Sequence, residues 1–332
     1  TNVTAVGDFA YSNGKLLSDN LKLKSDKIDA TAIVVADLPS GHYTGALKGR
    51  VNNYTIDGIG IVDLTTDAKL VSMPKGGFGI KGRIAARTRR IFNSGAESFL
   101  GGQAIVTSDI GYGTDGVFTF SNIKLAAPRL SIYRGSGTYR PDGRIAFVGD
   151  AHSKDYGPIN ARVTGTAAAP VIVIHAPRPG VGVGLAGLEA TIRGKGDGYA
   201  IVAKGTTNYG PFAANVLVHS GKTLAIQVNQ GSTFAGMNLT GALQQTAAGP
   251  FAGKLQFAGS GINGTATLGA EGKVQRADIA ARAYNATIPG NEDFTIGRAI
   301  VSASVILYPN APRVLADVSC VYDPITTRCR GR

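Results

Sequence analysis

The chain has 332 residues, a formal net charge of +12 from 34 Lys+Arg and 22 Asp+Glu, 46 Gly and 14 Pro. That much Gly and Pro discourages long helices, whereas 43% apolar residues is too many for a disordered chain, and the lack of a Gly-X-Y period excludes collagen. Two cysteines, Cys320 and Cys329, exclude a disulfide-dense scaffold and a four-Cys zinc site.

In chain order, the recurring pattern is strict alternation broken by turn residues. Asn13-Gly14 precedes Leu21-Lys22-Leu23-Lys24, where apolar and basic side chains alternate. Ser40-Gly41 and Asp57-Gly58 are the next turn signals, and 93–102 is the one stretch suited to a short helical turn. Val117–Ile123 and Arg144–Phe147 alternate again, with Pro141-Asp142-Gly143 between them. Tyr156-Gly157-Pro158-Ile159 and Tyr209-Gly210-Pro211-Phe212 each open a strand group, and Gly249-Pro250-Phe251-Ala252 echoes them. Gly196-Asp197-Gly198, Ser220-Gly221 and Asn263-Gly264 are further turns; Leu224, Ile226 and Val228 share a face opposite Thr223, Ala225 and Gln227, and Lys254–Phe257 alternates. Alternation of this kind predicts half-buried strands, and Gly or Asn at the breaks suits tight hairpins. At about 12 residues per strand and turn, roughly 25 to 28 antiparallel strands are expected. A ribbon that long, on the order of 120 Å, is expected to curl with its apolar side inward.

Motifs for chemistry are few. Gly182, Gly184 and Gly187 fit G-x-G-x-x-G, but Pro177 and Pro179 break the approach and Leu188–Arg193 reads as a strand, not as the helix a pyrophosphate needs. His42, His152, His175 and His219 are dispersed, without metal-ligand spacing. Ser12-x-x-Lys15 and Ser72-x-x-Lys75 lie in turns, and no Gly-x-Ser-x-Gly elbow exists. No catalytic, cofactor-binding or metal-binding residues are assigned, and a non-enzyme is expected. Arg83, Arg87, Arg89 and Arg90 form the densest basic cluster, suited either to phosphate contact or to a solvated strand face; only Phe92 is near to stack on a base, so nucleic acid is not expected. The longest charge-free stretches, Val163–Pro177 and Ala299–Pro312, fall short of the ~20 residues of a membrane helix. The chain opens on Thr1 without a charged n-region or apolar h-region, so no signal peptide is visible, and because Thr1 is not a start methionine a processed or truncated piece is expected. Cys320 and Cys329 lie in Asp317–Arg332, and their pairing is left open.

The segments Leu47–Gly58 (LKGRVNNYTIDG), Thr246–Leu255 (TAAGPFAGKL) and Ile300–Pro312 (IVSASVILYPNAP) resemble the TamB translocation and assembly module of alphaproteobacteria, within the AsmA-like family. The resemblance runs from about Thr1 to Val318. It implies an all-β fold: a long antiparallel sheet of repeated hairpins, curled to a U-shaped, taco-like cross-section with an apolar groove. It also implies periplasmic location, an inner-membrane anchor in the full-length protein, phospholipid transport to the outer membrane and, for assembly of outer-membrane proteins, a barrel partner of the TamA type. The anchor and the C-terminal region that meets the partner are not recognisable here, so membrane contact through flanking regions is expected. Residues 1–318 are expected to form one continuous repetitive groove, with a sub-boundary near 177–187, and 319–332 an irregular or truncated tail.

The side chains expected to line the groove are Leu21, Leu23, Phe118, Phe120, Ile145, Phe147, Phe212, Val216, Val218, Leu224, Ile226, Leu255, Phe257, Val301, Val305 and Leu307. Their role would be to solvate acyl chains: leaving a ~16-carbon chain in water costs on the order of 13 kcal/mol at ~0.8 kcal/mol per CH₂. Rim Lys and Arg would attract anionic headgroups. The competing expectation is a secreted β-solenoid adhesin or an assembly scaffold, with a closed, dry core.

Overall fold

A strand that alternates apolar and polar residues satisfies its backbone by pairing with a like neighbour, and a tight turn returns it antiparallel. The chain does this repeatedly in a computed structural model, which describes residues 4–321 apart from 27, 57–59, 74–77, 93, 180–183, 196–197, 221–222, 289–290 and 308–311. With 78% strand and 2% helix, β-pairing carries nearly all of the backbone hydrogen bonding. The described residues form 23 strands, fewer than the composition-based 25 to 28, because several run to 13–17 residues.

Two compact units, Thr1–Ile172 and Val173–Arg332, divide the chain. The division falls N-terminal to the 177–187 interval. The first unit contains β1 (Thr4–Val6), β2 (Ala10–Ser12), β3 (Lys15–Lys24), β4 (Ile28–Asp37), β5 (His42–Ile56), β6 (Gly60–Ser72), β7 (Phe78–Ile91), α1 (Ser94–Leu100), β8 (Ile105–Tyr112), β9 (Phe118–Ala126), β10 (Leu130–Tyr139), β11 (Ile145–Ser153) and β12 (Gly157–Gly165). From β3 to β12 each strand pairs antiparallel with the next, and β1 and β2 both pair with β3. β13 (Pro170–Ala176) spans the division. The second unit contains β14 (Ala186–Lys195), β15 (Gly198–Thr207), β16 (Gly210–Ser220), β17 (Leu224–Phe234), β18 (Met237–Gln245), β19 (Phe251–Gly259), β20 (Ile262–Glu271), β21 (Val274–Ile288), β22 (Asn291–Leu307) and β23 (Pro312–Val321). These too pair in sequence order. The sheet is open and antiparallel, unlike the parallel coil-on-coil stacking of a β-helical solenoid. The strand β23 continues to Val321, so the expected irregular tail does not begin at 319; 322–332 lies outside the described residues.

Three of the expected turns, Asn13-Gly14, Ser40-Gly41 and Pro141-Asp142-Gly143, join consecutive strands. Asn13 and Gly14 both have positive φ (51° and 76°), the pair of conformations a two-residue turn between twisted strands needs. Asn263-Gly264 is not a turn. Both residues lie within β20, where Asn263 pairs with Ala258 and Gly264 with Phe257; the turn is Ser260-Gly261 (φ 51° and 78°). Gly264 is required for clearance instead, as argued in the Discussion. Asp57-Gly58 and parts of the turns at 196–198 and 220–221 lie outside the described residues.

Bulges keep the apolar residues in phase. Val117–Ile123 is not a simple alternation: Phe118 and Phe120 share a face, and Asn122, at φ 51°, is an extra residue that returns Ile123 and Leu125 to it. Likewise the register shift between Ser18 and Leu21 brings Leu16 and Ser18 onto the face of Leu21 and Leu23. A neighbouring carboxylate secures each of these two bulges. The Asn122 amide donates to Asp109 Oδ2 at 2.7 Å, and the Asn20 amide donates to Asp8 Oδ2 at 2.8 Å. At the shift after Val51, Asn53 N–H donates to Asp63 Oδ1 at 3.0 Å.

Candidate functional site

Register determines which side chains share a face, since directly paired residues project to the same side. In the first unit one row crosses ten strands from β3 to β12: Leu21, Ala32, Leu47, Ala68, Gly82, Ile110, Phe120, Gly137, Phe147 and Val163, each paired to the next. Every member is apolar or glycine, over about 45 Å at the usual strand spacing. Flanking rows continue the pattern: Leu23 pairs with Ala30, and Tyr112, Phe118, Tyr139 and Ile145 follow one another across β8 to β11. Ring contacts run across these strands, at 4.6 Å between Tyr112 and Phe118 and 5.6 Å between Phe120 and Phe147.

The second unit repeats the arrangement on its own scaffold. Ile192, Ile201, Val216, Val228, Gly241, Leu255, Ala266, Ile279 and Ala303 form one row. Tyr199, Val218, Ile226, Leu243, Gly253, Leu268, Ala277 and Val305 form the next. Phe212, Leu224, Phe257 and Val301 occupy the same face by register. Leu307 occupies a matching backbone position opposite Gln275, but its side chain lies outside the described residues. Thus all the sequence-selected positions in a given unit fall on one face of that unit's sheet.

That face is not a sealed core. Among the described residues, Val62 and Ile159 are the only aliphatics larger than alanine in the buried class; the rest of the buried apolar set is Ala. Leu21, Leu23, Phe120, Ile145, Phe147, Val216, Val218, Ile226, Leu255 and Phe257 are half-buried, and Phe118 is 37% exposed. A face of large apolar groups, each shielded by its neighbours but retaining access, has unused capacity to remove further apolar surface from water. Polar atoms near it are mostly satisfied locally: Ser232 Oγ donates to Asn215 O at 3.2 Å and Ser108 Oγ to Ser121 O at 3.0 Å.

The opposite face is charged, and in the first unit its sign alternates strand by strand. Lys24, Asp29 and Arg50 are successive partners on β3, β4 and β5; Lys48, Asp67, Arg83 and Asp109 are successive partners from β5 to β8. The exception is Lys69, which faces Lys81. Opposite charges across a ladder favour the correct neighbour, and exposed pairs add little stability individually. The arginine cluster belongs to this pattern: Arg83 Nε lies 3.3 Å from Asp109, Arg89 Nε donates to Asp63 at 2.6 Å, and Arg87 faces Asp63. Arg90 instead lies over the Phe92 ring at 5.9 Å. A depression of about 630 Å³ lies among Asp29, Lys48, Arg50, Asp67 and Arg83. It is a gap between long charged side chains on the polar face, so the apolar rows are the better candidate site.

Three carboxylates on this face, Asp109, Asp150 and Asp63, are held below the ordinary value of 3.8. Asn122 and then Arg83 lower Asp109, Asn160 and then Arg134 lower Asp150, and Arg89 and then the Asn53 amide lower Asp63. A depressed folded-state pKa contributes stability that is complete above the unfolded value and is lost as pH falls through the folded one. Thermal melting is therefore expected to be flat from about pH 8 to 5 and to decline below about pH 4. Asp109→Asn should make that acid decline shallower, which melts across a pH series would show.

Other sequence-selected motifs do not converge. His42, His152, His175 and His219 lie on β5, β11, β13 and β16, and among the described residues no three His, Cys, Asp or Glu gather into a metal-sized cluster. Ser12 and Lys15 flank the β2–β3 turn. Leu188–Arg193 is part of β14, without a helix after the glycines; Gly182, Lys75 and Cys329 lie outside the described residues. No described helix is long and apolar enough to cross a membrane. No family model, curated protein or solved structure matches the chain. The site therefore stands on its own geometry.

Proposed function

We propose that the chain is a segment of a TamB-like, bridge-type lipid conduit of the periplasm, in which the apolar face of each sheet solvates phospholipid acyl chains while headgroups remain in water. The observation that carries this reading is the pair of uninterrupted apolar rows, ten strands wide in the first unit, whose large side chains are half-buried. A trough of Val, Ile, Leu and Phe offers similar transfer free energy at each step and has no deep trap. In this reading the sheet curls along its length into the U-shaped groove, the full-length protein is anchored in the inner membrane, and a TamA-type barrel is its outer-membrane partner. No catalytic step or cofactor is involved.

Photo-crosslinking residues placed at Phe120, Phe147, Val216 and Leu255 are expected to capture phospholipid in cells. Controls at Arg134, Gln227 and Lys254 on the opposite faces should capture none. Equal capture on both faces, or none at the apolar positions, overturns the proposal and favours an adhesin or assembly scaffold, which needs no lipid.

A further inference from the structure

The run of strands in the first unit is interrupted once among the described residues, by α1 between β7 and β8. Three partly exposed aromatic rings stand at this interruption: Phe92 at 45%, Phe99 at 38% and Tyr156 at 42% exposure. Large apolar rings normally find cover, so a group of them at one sheet end marks a contact surface. Phe99, on α1, stacks on Tyr156, from the turn before β12, with ring centroids 6.3 Å apart. The group is fixed in place. Arg129 N–H donates to Leu100 O at 2.9 Å, its guanidinium donates to Ser98 O at 3.4 Å, and Arg129 O accepts from Lys154 N–H at 2.9 Å.

Three basic residues belong to this corner. Arg90 lies over Phe92, Lys154 immediately precedes Asp155-Tyr156, and Arg129 is paired to Asp155 at 2.8 Å. Asp155, before β12, and Glu97, on the helix, are the acidic groups here. Aromatic rings, one of them with a hydroxyl at its tip, flanked by Arg and Lys whose stems can lie along them, suit the boundary between acyl chains and headgroups.

We infer that this corner of the first unit is a bilayer-docking surface, with Phe92, Phe99 and Tyr156 entering the interface of a phospholipid membrane and Arg90 and Lys154 meeting its phosphates. The inference extends the lipid-conduit reading but is tested separately from it. The chain contains no Trp, so Phe99→Trp gives a single reporter. With vesicles of phosphatidylethanolamine and phosphatidylglycerol, its emission should shift to the blue and be quenched by bromine-labelled acyl chains; a Val148→Trp reporter on the polar face should not respond. The triple variant Phe92→Ala, Phe99→Ala, Tyr156→Ala should float with these vesicles on the order of tenfold less well while keeping its circular dichroism and its acyl cross-links at Val216. An unchanged Trp emission at position 99 overturns the inference even if those cross-links form. A response at 99 without cross-links upholds docking and removes the conduit.

Discussion

Ile226→Asp is expected to abolish capture of lipid at Leu255 while the sheet remains folded. Ile226 pairs with Val218 on one side and Leu243 on the other, inside the apolar face of the second unit, and is half-buried. A carboxylate there retains its hydration shell, so the passing chain loses contact with several methylenes. At ~0.8 kcal/mol per CH₂ the local loss is about 3 kcal/mol, or roughly 100-fold in occupancy. Folding should be affected less, because the site is open to water and the new charge need not be sealed in; about 1 to 2 kcal/mol is the expected cost. Val218→Asp should behave alike. The polar-face control Gln227→Asp should leave both stability and cross-linking near those of the parent. Full lipid capture in a folded Ile226→Asp protein would remove the apolar face from the mechanism.

Gly137→Val and Gly264→Val are expected to destabilise the protein by about 3 kcal/mol each. Both glycines sit on the apolar face directly opposite a phenylalanine, Gly137 against Phe147 and Gly264 against Phe257. A Cβ at Gly137 would lie 2.6 Å from Ala146 O and closer still to Phe147 Cδ1; at Gly264 it would lie 2.6 Å from Phe257 Cζ and closer still to Ala280 O. The ring could swing away, but the carbonyl oxygen belongs to the ladder and cannot move without breaking pairing. Gly194, on the apolar face of β14, has nothing within 4 Å of its built Cβ, so Gly194→Val should stay within about 0.5 kcal/mol of the parent. Denaturant melts of the three variants would decide this. The Phe-over-Gly pairs also keep the face even, because each ring covers the space its partner leaves empty.

Much of this arrangement was legible in the residue pattern. Leu21 and Leu23 between lysines, or Leu224, Ile226 and Val228 against Ala225 and Gln227, assign faces because side chains on a strand alternate with period two. Asn13-Gly14 announces its own turn, and 93–102 contains the α1 helix. Other features left no such trace. Ala235-Gly236 forms the hairpin between β17 and β18 with Ala235 at φ 51°, and alanine is not a turn signal. Asn263-Gly264 has the composition of a turn, yet the backbone reverses three residues earlier, at Ser260-Gly261, and the glycine serves Phe257. The bulge at Asn122 shows only as an odd spacing, Phe120 to Ile123, that simple alternation overlooks.

What the sequence alone determined is the two-sided character of the strands, apolar on one side and charged on the other, since that follows from local geometry. Whether successive strands present the same side depends on register, and a slip of one residue turns every side chain over. Only the tertiary structure decided that: the bulges near Asn20, Asn53 and Asn122 absorb the odd residues, and the Lys–Asp–Arg ladders match each strand to its neighbour. Side-chain period is a property of a single strand, whereas a continuous face is a property of many strands paired in phase.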